Sequence, residues 1–251
     1  MTTKRNSNRN MTQGTDGWQP WYSWAGYQEN FVDLLESLSP KVSHLSALMT
    51  RKDPQTAIHQ QRVAQLSASI ALKMRLPAEQ VAGVWLAGIL HDIGKIAVPG
   101  NILTTPCKLT TTETSLMQAH ALSGYKILGM MDFPRRVRQT VLQHHEKMDG
   151  SGYPSGIKGK DLLLESRILA VADVVDAMLS HRPYRAALTL SQTLEEIVHR
   201  SGVLYDSQVI DIVVDISFVG HGSIPLPLLG SGKIGKRTRQ MREAGRSTTF
   251  S

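Results

Sequence analysis

Apolar residues along this chain recur at threes and fours, the spacing that lines one face of an α-helix. From Glu29 to Met49, Phe31, Val32, Leu34, Leu35, Leu38, Val42, Leu45 and Leu48 mark an amphipathic helix, with Pro40 as a candidate kink. Val63, Leu66, Ile70 and Met74 mark a second, which must end before Pro77. Val81 to Ile93 is apolar on nearly all sides, as expected of a helix through the centre of a domain. Further helices are predicted over Thr111–Met130, Val137–Lys147, Ser166–Leu179, Ser191–Ser201 and Asp206–Phe218. Threonines at 110–112 with Glu113 behind them predict an N-terminal cap for the first of these. The glycine-rich stretch DGSGYPSGIKG (149–159) interrupts the series, and glycine and proline make it a turn-rich loop. Two-residue alternation is scarce, so the predicted fold class is all-α, a bundle of helices.

The 251 residues carry 41% hydrophobic and 20% charged residues, enough apolar material for one core. The net charge of +7 suggests a nucleic-acid partner only until it is located. Residues 1–17 hold a net +2 and residues 218–251 a net +5, which leaves the stretch between them neutral and excludes a uniformly basic binding domain. The first 17 residues, polar and without the apolar core of a secretion signal, are expected to be disordered. The rings of Trp18, Trp21, Tyr22, Trp24 and Tyr27 follow, either as a cap on the core or as a docking surface. Residues 218–251 read as a flexible basic tail. One cysteine, Cys107, excludes a disulfide framework and a thiolate zinc site. The longest apolar run, Val81 to Leu90, is half of the ~20 residues a membrane helix needs, so a soluble, cytoplasmic protein without a transmembrane segment is expected.

Chemistry is concentrated in the histidines. His91-Asp92 ends an apolar helix, where both groups are costly to bury without hydrogen bonds or a metal. Adjacent helical residues point about 100° apart, so two ions beside this helix could share the pair, with Asp92 as the bridge. His144-His145 forms a second pair at a helix end, His59 lies on another helix with Arg62 on the same face, and His120 falls within the helix after the His-Asp segment. Asp173 sits in the apolar run RILAVADVVDAML. A single histidine on a helix is more often a core or surface residue than a ligand. Five histidines and two aspartates on separate helices instead match the way helical bundles build two-metal sites. Lys95, one turn beyond His91, is either a surface cation at a helix end or a group aimed at a substrate phosphate.

The strings HDIGKI (91–96), HHEKMDGSGYP (144–154) and RILAVADVVDAMLSHRPYR (167–185) resemble, in order and spacing, the HD-GYP family of phosphodiesterases, and KDPQTAIHQQRVAQLS (52–67) is similar to that family's first ligand helix. The resemblance covers roughly residues 50 to 215. It implies an HD-domain helical bundle with a metal centre between helices, and hydrolysis of cyclic di-GMP to pGpG, with a second cleavage to GMP left open. Two divalent ions are implied, iron or manganese foremost, with His59, His91, Asp92, His120, His144, His145 and Asp173 as ligands and Asp92 as the bridge. Lys95 would contact the scissile phosphate or orient the attacking water, and Arg182 and Arg185 would bind ligand phosphates through their planar forks. Gly152, Tyr153 and Pro154 would shape the pocket mouth and offer a docking point for diguanylate-cyclase (GGDEF) domains. A homodimer is compatible with the resemblance, and a specific nucleic-acid partner is not expected. Expected domain boundaries are 18–50 for the aromatic segment and first helix, and 51–217 for the phosphodiesterase domain.

Three departures from the family pattern matter. Thr105 and Cys107 stand where a lysine and a glycine are usual, and Ala121 follows the third histidine in place of proline. Gln55 stands where three-metal members carry a glutamate, which favours two ions. The altered 104–109 loop keeps open a second function, a module that binds cyclic di-GMP without cleaving it. A third is a different phosphohydrolase of the wider HD superfamily.

Overall fold

The computed structural model describes residues 29–105, 107–181 and 186–219, and the side chains of 29–35 and 218–219 are not part of that description. The expected disordered start, the aromatic cluster at 18–27, Pro106 of the altered loop, Arg182, Arg185 and the tail from 220 onward lie outside the described residues. Among the described residues the fold is all-α. Its elements are α1 (Glu29–Lys52), α2 (Pro54–Lys73), α3 (Ala78–Leu90), a 3-10 turn (Ile93–Ala97), α4 (Gly100–Leu103), α5 (Thr111–Gln118), α6 (His120–Met130), α7 (Arg135–Gln143), a second 3-10 turn (Gly159–Asp161), α8 (Leu164–Leu179), α9 (Leu190–His199) and α10 (Ser207–Val219).

α3 is the central helix, as its uniform apolarity predicts. Val81, Ala82, Val84, Leu86, Ala87, Ile89 and Leu90 are all buried. α2 lies against it at backbone distance, because a Cβ on Gly88 would come within 2.6 Å of Ala64 Cα. Asp53 starts α2 by accepting from the Gln55 and Thr56 amides, and Pro54 takes the first helical position, where a missing N–H costs nothing. α1 runs through Pro40 as one helix and adds Leu38, Val42, Leu45 and Met49 to the same core. α8 completes that core with Ile168, Leu169, Val171, Ala172 and Val175.

Two predicted helices change where the chemistry begins. The single helix expected over Thr111–Met130 is two, α5 and α6, parted at Ala119, so His120 opens a helix instead of lying within one. Its carbonyl is the tightest neighbour of the turn after the His-Asp pair: a Cβ on Gly94 would fall 1.9 Å from His120 O. α7 stops at Gln143, short of the expected Lys147, which leaves His144 as its C-terminal cap and His145 beyond it. The capping box at Thr110 forms as predicted, with Thr110 and Glu113 bonded reciprocally.

Candidate metal centre

The ends of α3 and α7, the start of α6 and the facing sides of α2 and α8 meet at one place. His91 and Asp92 follow α3, His144 and His145 follow α7, His120 opens α6, His59 projects from α2 and Asp173 from α8. All seven side chains therefore share one cluster, which divides into two donor groups. Donor atoms of Asp92, His120, His144 and His145 lie within 4.8 Å of one another, and so do those of His59, His91 and Asp173. The carboxylates join the groups. Asp92 Oδ1 is 3.4 Å from His120 Nε2, and its Oδ2 is 3.4 Å from His91 Nε2. Asp173 Oδ1 is 3.0 Å from His59 Nε2, and its Oδ2 is 3.9 Å from His145 Nδ1.

Local backbone aims the rings. Nδ1 of His91, His120 and His144 each donates to the carbonyl three residues upstream, Gly88, Met117 and Val141, at 2.8, 2.6 and 2.6 Å. A proton on Nδ1 leaves Nε2 as a lone pair facing the cluster, the tautomer a metal requires. The Nε2 atoms of His120 and His144 then face each other at 3.3 Å, two acceptors with no proton between them. His91 Nε2 is buried and without a hydrogen-bond partner. Both features are costly in a closed protein interior and are relieved by a cation, so the donor set fits divalent metal binding.

Protonation points the same way. Burial lowers His144 and His120, and it takes His145, with help from neighbouring His120 and His91, down to about 3. Burial raises Asp92 and Asp173, but Lys95 and the histidines around Asp92, and His59, His91 and His145 around Asp173, outweigh it and hold both carboxyls well below the usual range. Neutral imidazoles and ionised carboxylates are the forms that ligate metals. His59 is the exception. Burial lowers it, but its hydrogen bonds to Asp173 and Asp176 prevail and push it up to about 9.

Lys95 Nζ sits 2.6 Å from Asp92 Oδ2, with about a fifth of its side chain (21%) open to solvent. Tyr153 lies over His145 with ring centres 4.7 Å apart, so the GYP loop walls the site, and burial followed by Asp173 and Asp92 raises its phenol. The loop folds this close because Gly152 has no side chain: a Cβ there would come 2.4 Å from Glu146 Cα. In the altered loop, the Cys107 amide donates to the Thr105 hydroxyl at 3.4 Å, and Cys107 is exposed.

Two carboxylates that the helix pattern does not single out complete the surroundings. Glu146, buried, accepts from the Ser155 amide at 2.7 Å and the Ile157 amide at 3.2 Å and so pins the GYP loop. Asp176, also buried, accepts from His59 Nδ1 and Arg62 Nε, both at 2.6 Å. The available signal for each is its spacing: Glu146 follows the histidine pair, and Asp176 lies one helical turn beyond Asp173.

Comparison with known proteins identifies the family. The HD domain family model matches residues 43–209. The cyclic di-GMP phosphodiesterase response regulator RpfG of Xanthomonas campestris is 37% identical over 175 residues, which is 69% of this chain and 46% of that protein. The 3'3'-cGAMP-specific phosphodiesterase 1 of Vibrio cholerae is 36% identical over 171 residues, 68% of this chain and 40% of that protein. Among solved structures, Bd1817, an HD-GYP-type protein of Bdellovibrio bacteriovorus, superposes with a TM-score of 0.57 at 20% identity, over 76% of this chain and 64% of that one, a likeness of fold. The chain thus spans about half or less of the curated relatives it matches. Among the described residues, no helix is long and apolar enough to cross a membrane.

Proposed function

The chain belongs to the HD domain family and carries the ordered motifs of its HD-GYP branch, and from that premise we propose that it is a metal-dependent phosphodiesterase that opens cyclic di-GMP to linear pGpG. The observation that carries the reading is the pair of carboxylates, Asp92 and Asp173, each facing both donor groups. In this reading His59, His91 and Asp173 would hold one divalent ion, iron or manganese, and His120, His144 and His145 would hold a second, with Asp92 as the carboxylate available to both. Bound there, the ions would lower the pKa of water and offset the negative charge of the phosphodiester.

The protein's own groups do the rest. Lys95 balances Asp92 and, being partly open to solvent, donates to a phosphate oxygen on which charge builds during cleavage. Tyr153 closes one wall and excludes water from the face of His145. Arg182 and Arg185 bind the phosphates of the dinucleotide, a role guanidinium suits through paired donors. Residues 51–217 form the phosphodiesterase domain, with 18–50 as its N-terminal extension. The GYP loop is also the surface a GGDEF domain would meet.

The test is direct. Full-length protein, purified without oxygen and loaded with manganese or iron(II), is incubated with cyclic di-GMP and separately with 3'3'-cGAMP, and the nucleotides are separated. Release of pGpG supports the proposal, and its further decay to GMP reports a second cut. Preferential cleavage of 3'3'-cGAMP would move the substrate to that of the Vibrio relative. Cyclic di-GMP bound but intact would favour the non-catalytic module, for which the Thr105 and Cys107 replacements are the supporting feature.

A further inference from the structure

His59 differs from three of the other site histidines in what holds its far nitrogen. His91, His120 and His144 give Nδ1 to backbone carbonyls of their own chain segments. His59 Nδ1 instead meets a side chain, Asp176 Oδ2, at 2.6 Å. Asp176 is fully buried and is itself held. Arg62 donates from Nε at 2.6 Å and from Nη2 at 3.0 Å, and Ser180 donates at 3.3 Å. Arg62 Nη2 also reaches Ser180 Oγ at 2.7 Å, which closes the network. Two helices build it in register. His59 and Arg62 lie one turn apart on α2, and Asp173 and Asp176 lie one turn apart on α8, so α8 supplies one carboxylate to each nitrogen of the same ring.

We propose that Asp176, oriented by Arg62, is the positioning residue that turns His59 Nε2 toward the ion shared with His91 and Asp173 and thereby holds this ion separately from the other. The inference rests on the metal reading above. An imidazole between two carboxylates can ligate through Nε2 only if its single proton stays on the Asp176 side. The paired guanidinium donors fix Asp176 as the acceptor there, while Asp173 keeps its oxygens for the cluster. A carboxylate is a stronger acceptor than a carbonyl and makes the opposite nitrogen a better donor. His59 lies well inside α2, with its ring at the edge of the cluster (14% exposed), and its Nδ1 is held by the Asp176 carboxylate.

The experiment is a manganese(II) titration of the chelator-stripped full-length protein, followed by elemental analysis and electron paramagnetic resonance. The unaltered protein is expected to take up two ions and to give the spectrum of an interacting pair. Asp176→Asn should weaken one ion by about 10–100-fold and leave the other unchanged, so that a single-ion spectrum appears at limiting metal. His59→Ala should lose the same ion, and adding Asp176→Asn to it should cost nothing further. A merely structural role would instead lower both ions together or add to the His59→Ala loss. Arg62→Gln, at a side chain that reaches solvent, should weaken the same ion to a smaller extent, and it decides the question if circular dichroism finds Asp176→Asn unfolded. Full-affinity binding of both ions by either folded variant overturns the proposal. Failure of the unaltered protein to bind manganese overturns the metal reading and this inference with it, an outcome distinct from the others.

Discussion

Asp92 faces His91 with one carboxylate oxygen and His120 with the other, while Lys95 holds it from the side, so it touches both donor groups at once. Asp92→Ala is therefore expected to abolish turnover of cyclic di-GMP. It should also weaken metal binding by more than the ~10–100-fold that loss of an outer partner costs. Elemental analysis after desalting checks the second effect independently of the first, and turnover retained in the variant would rule out the bridge. Glu146 acts at one remove. Its replacement by alanine leaves the Ser155 and Ile157 amides without acceptors, at about 1–3 kcal/mol, and frees the loop that presses Tyr153 onto His145. A lower melting temperature and a raised KM, with metal content preserved, are the expected pair of results. At this scale the sequence exposes residue types well: the His-Asp pair stands out because polar groups end an apolar helix, and the His-His pair because two imidazoles adjoin at a helix end. Glu146 is silent in the same pattern, because an acid near a helix end reads equally as a solvated charge, while Asp176 shares the apolar run of Asp173 and nothing in the pattern gives it a separate role. Only the fold reveals that both are buried.

Helices are where the pattern is most legible and where its limits are physical. The apolar spacing continues across Ala119, yet the chain breaks there because the break is imposed from outside. The His120 carbonyl must lie against Gly94, and the His120 ring must reach back to the Met117 carbonyl at 2.6 Å. Gly94→Ala tests that packing. A Cβ placed 1.9 Å from His120 O forces the 3-10 turn and α6 apart, so a loss of about 1–3 kcal/mol in stability is expected together with weaker metal uptake. Calorimetry and metal analysis on the same sample check both. α5 makes the opposite case. Its capping box with Thr110 and Glu113 was readable in the sequence, but α5 has no buried residue. Thr110→Ala should therefore cost α5 about 0.5–2 kcal/mol locally, seen as faster amide exchange over residues 111–118, while the global melting temperature barely moves.

For the molecule as a whole, the gathering of candidate ligands from five segments was not derivable from periodicity, which places a residue on a face but not that face against another. The motif resemblance supplied the expectation, and backbone contacts such as Gly88 on Ala64 and Gly94 on His120 are what bring the segments together. Collecting so many ionisable groups also makes folding sensitive to pH once metal is removed. His120, His144 and His145 are all lowered by burial, His145 to about 3 from an ordinary 6.5, so the unfolded chain binds protons that the folded chain refuses. Their contribution is complete above pH 6.5 and is lost as the pH falls below it. His59, raised to about 9 by its two carboxylates, works in the other direction: its contribution is complete below pH 6.5 and is lost as the pH climbs through 9. Of these four histidines, three act on the acid side and one on the alkaline side. Chelator-treated protein should therefore be most stable near pH 6.5, with the steeper decline toward acid. Under the proposed ligation, manganese would take the place of the proton on His59 Nε2, and loading should flatten the alkaline limb. Melting temperatures across pH 5 to 10, with and without metal, decide the matter, and an acid limb no steeper than the alkaline one would refute this assignment of protonation states.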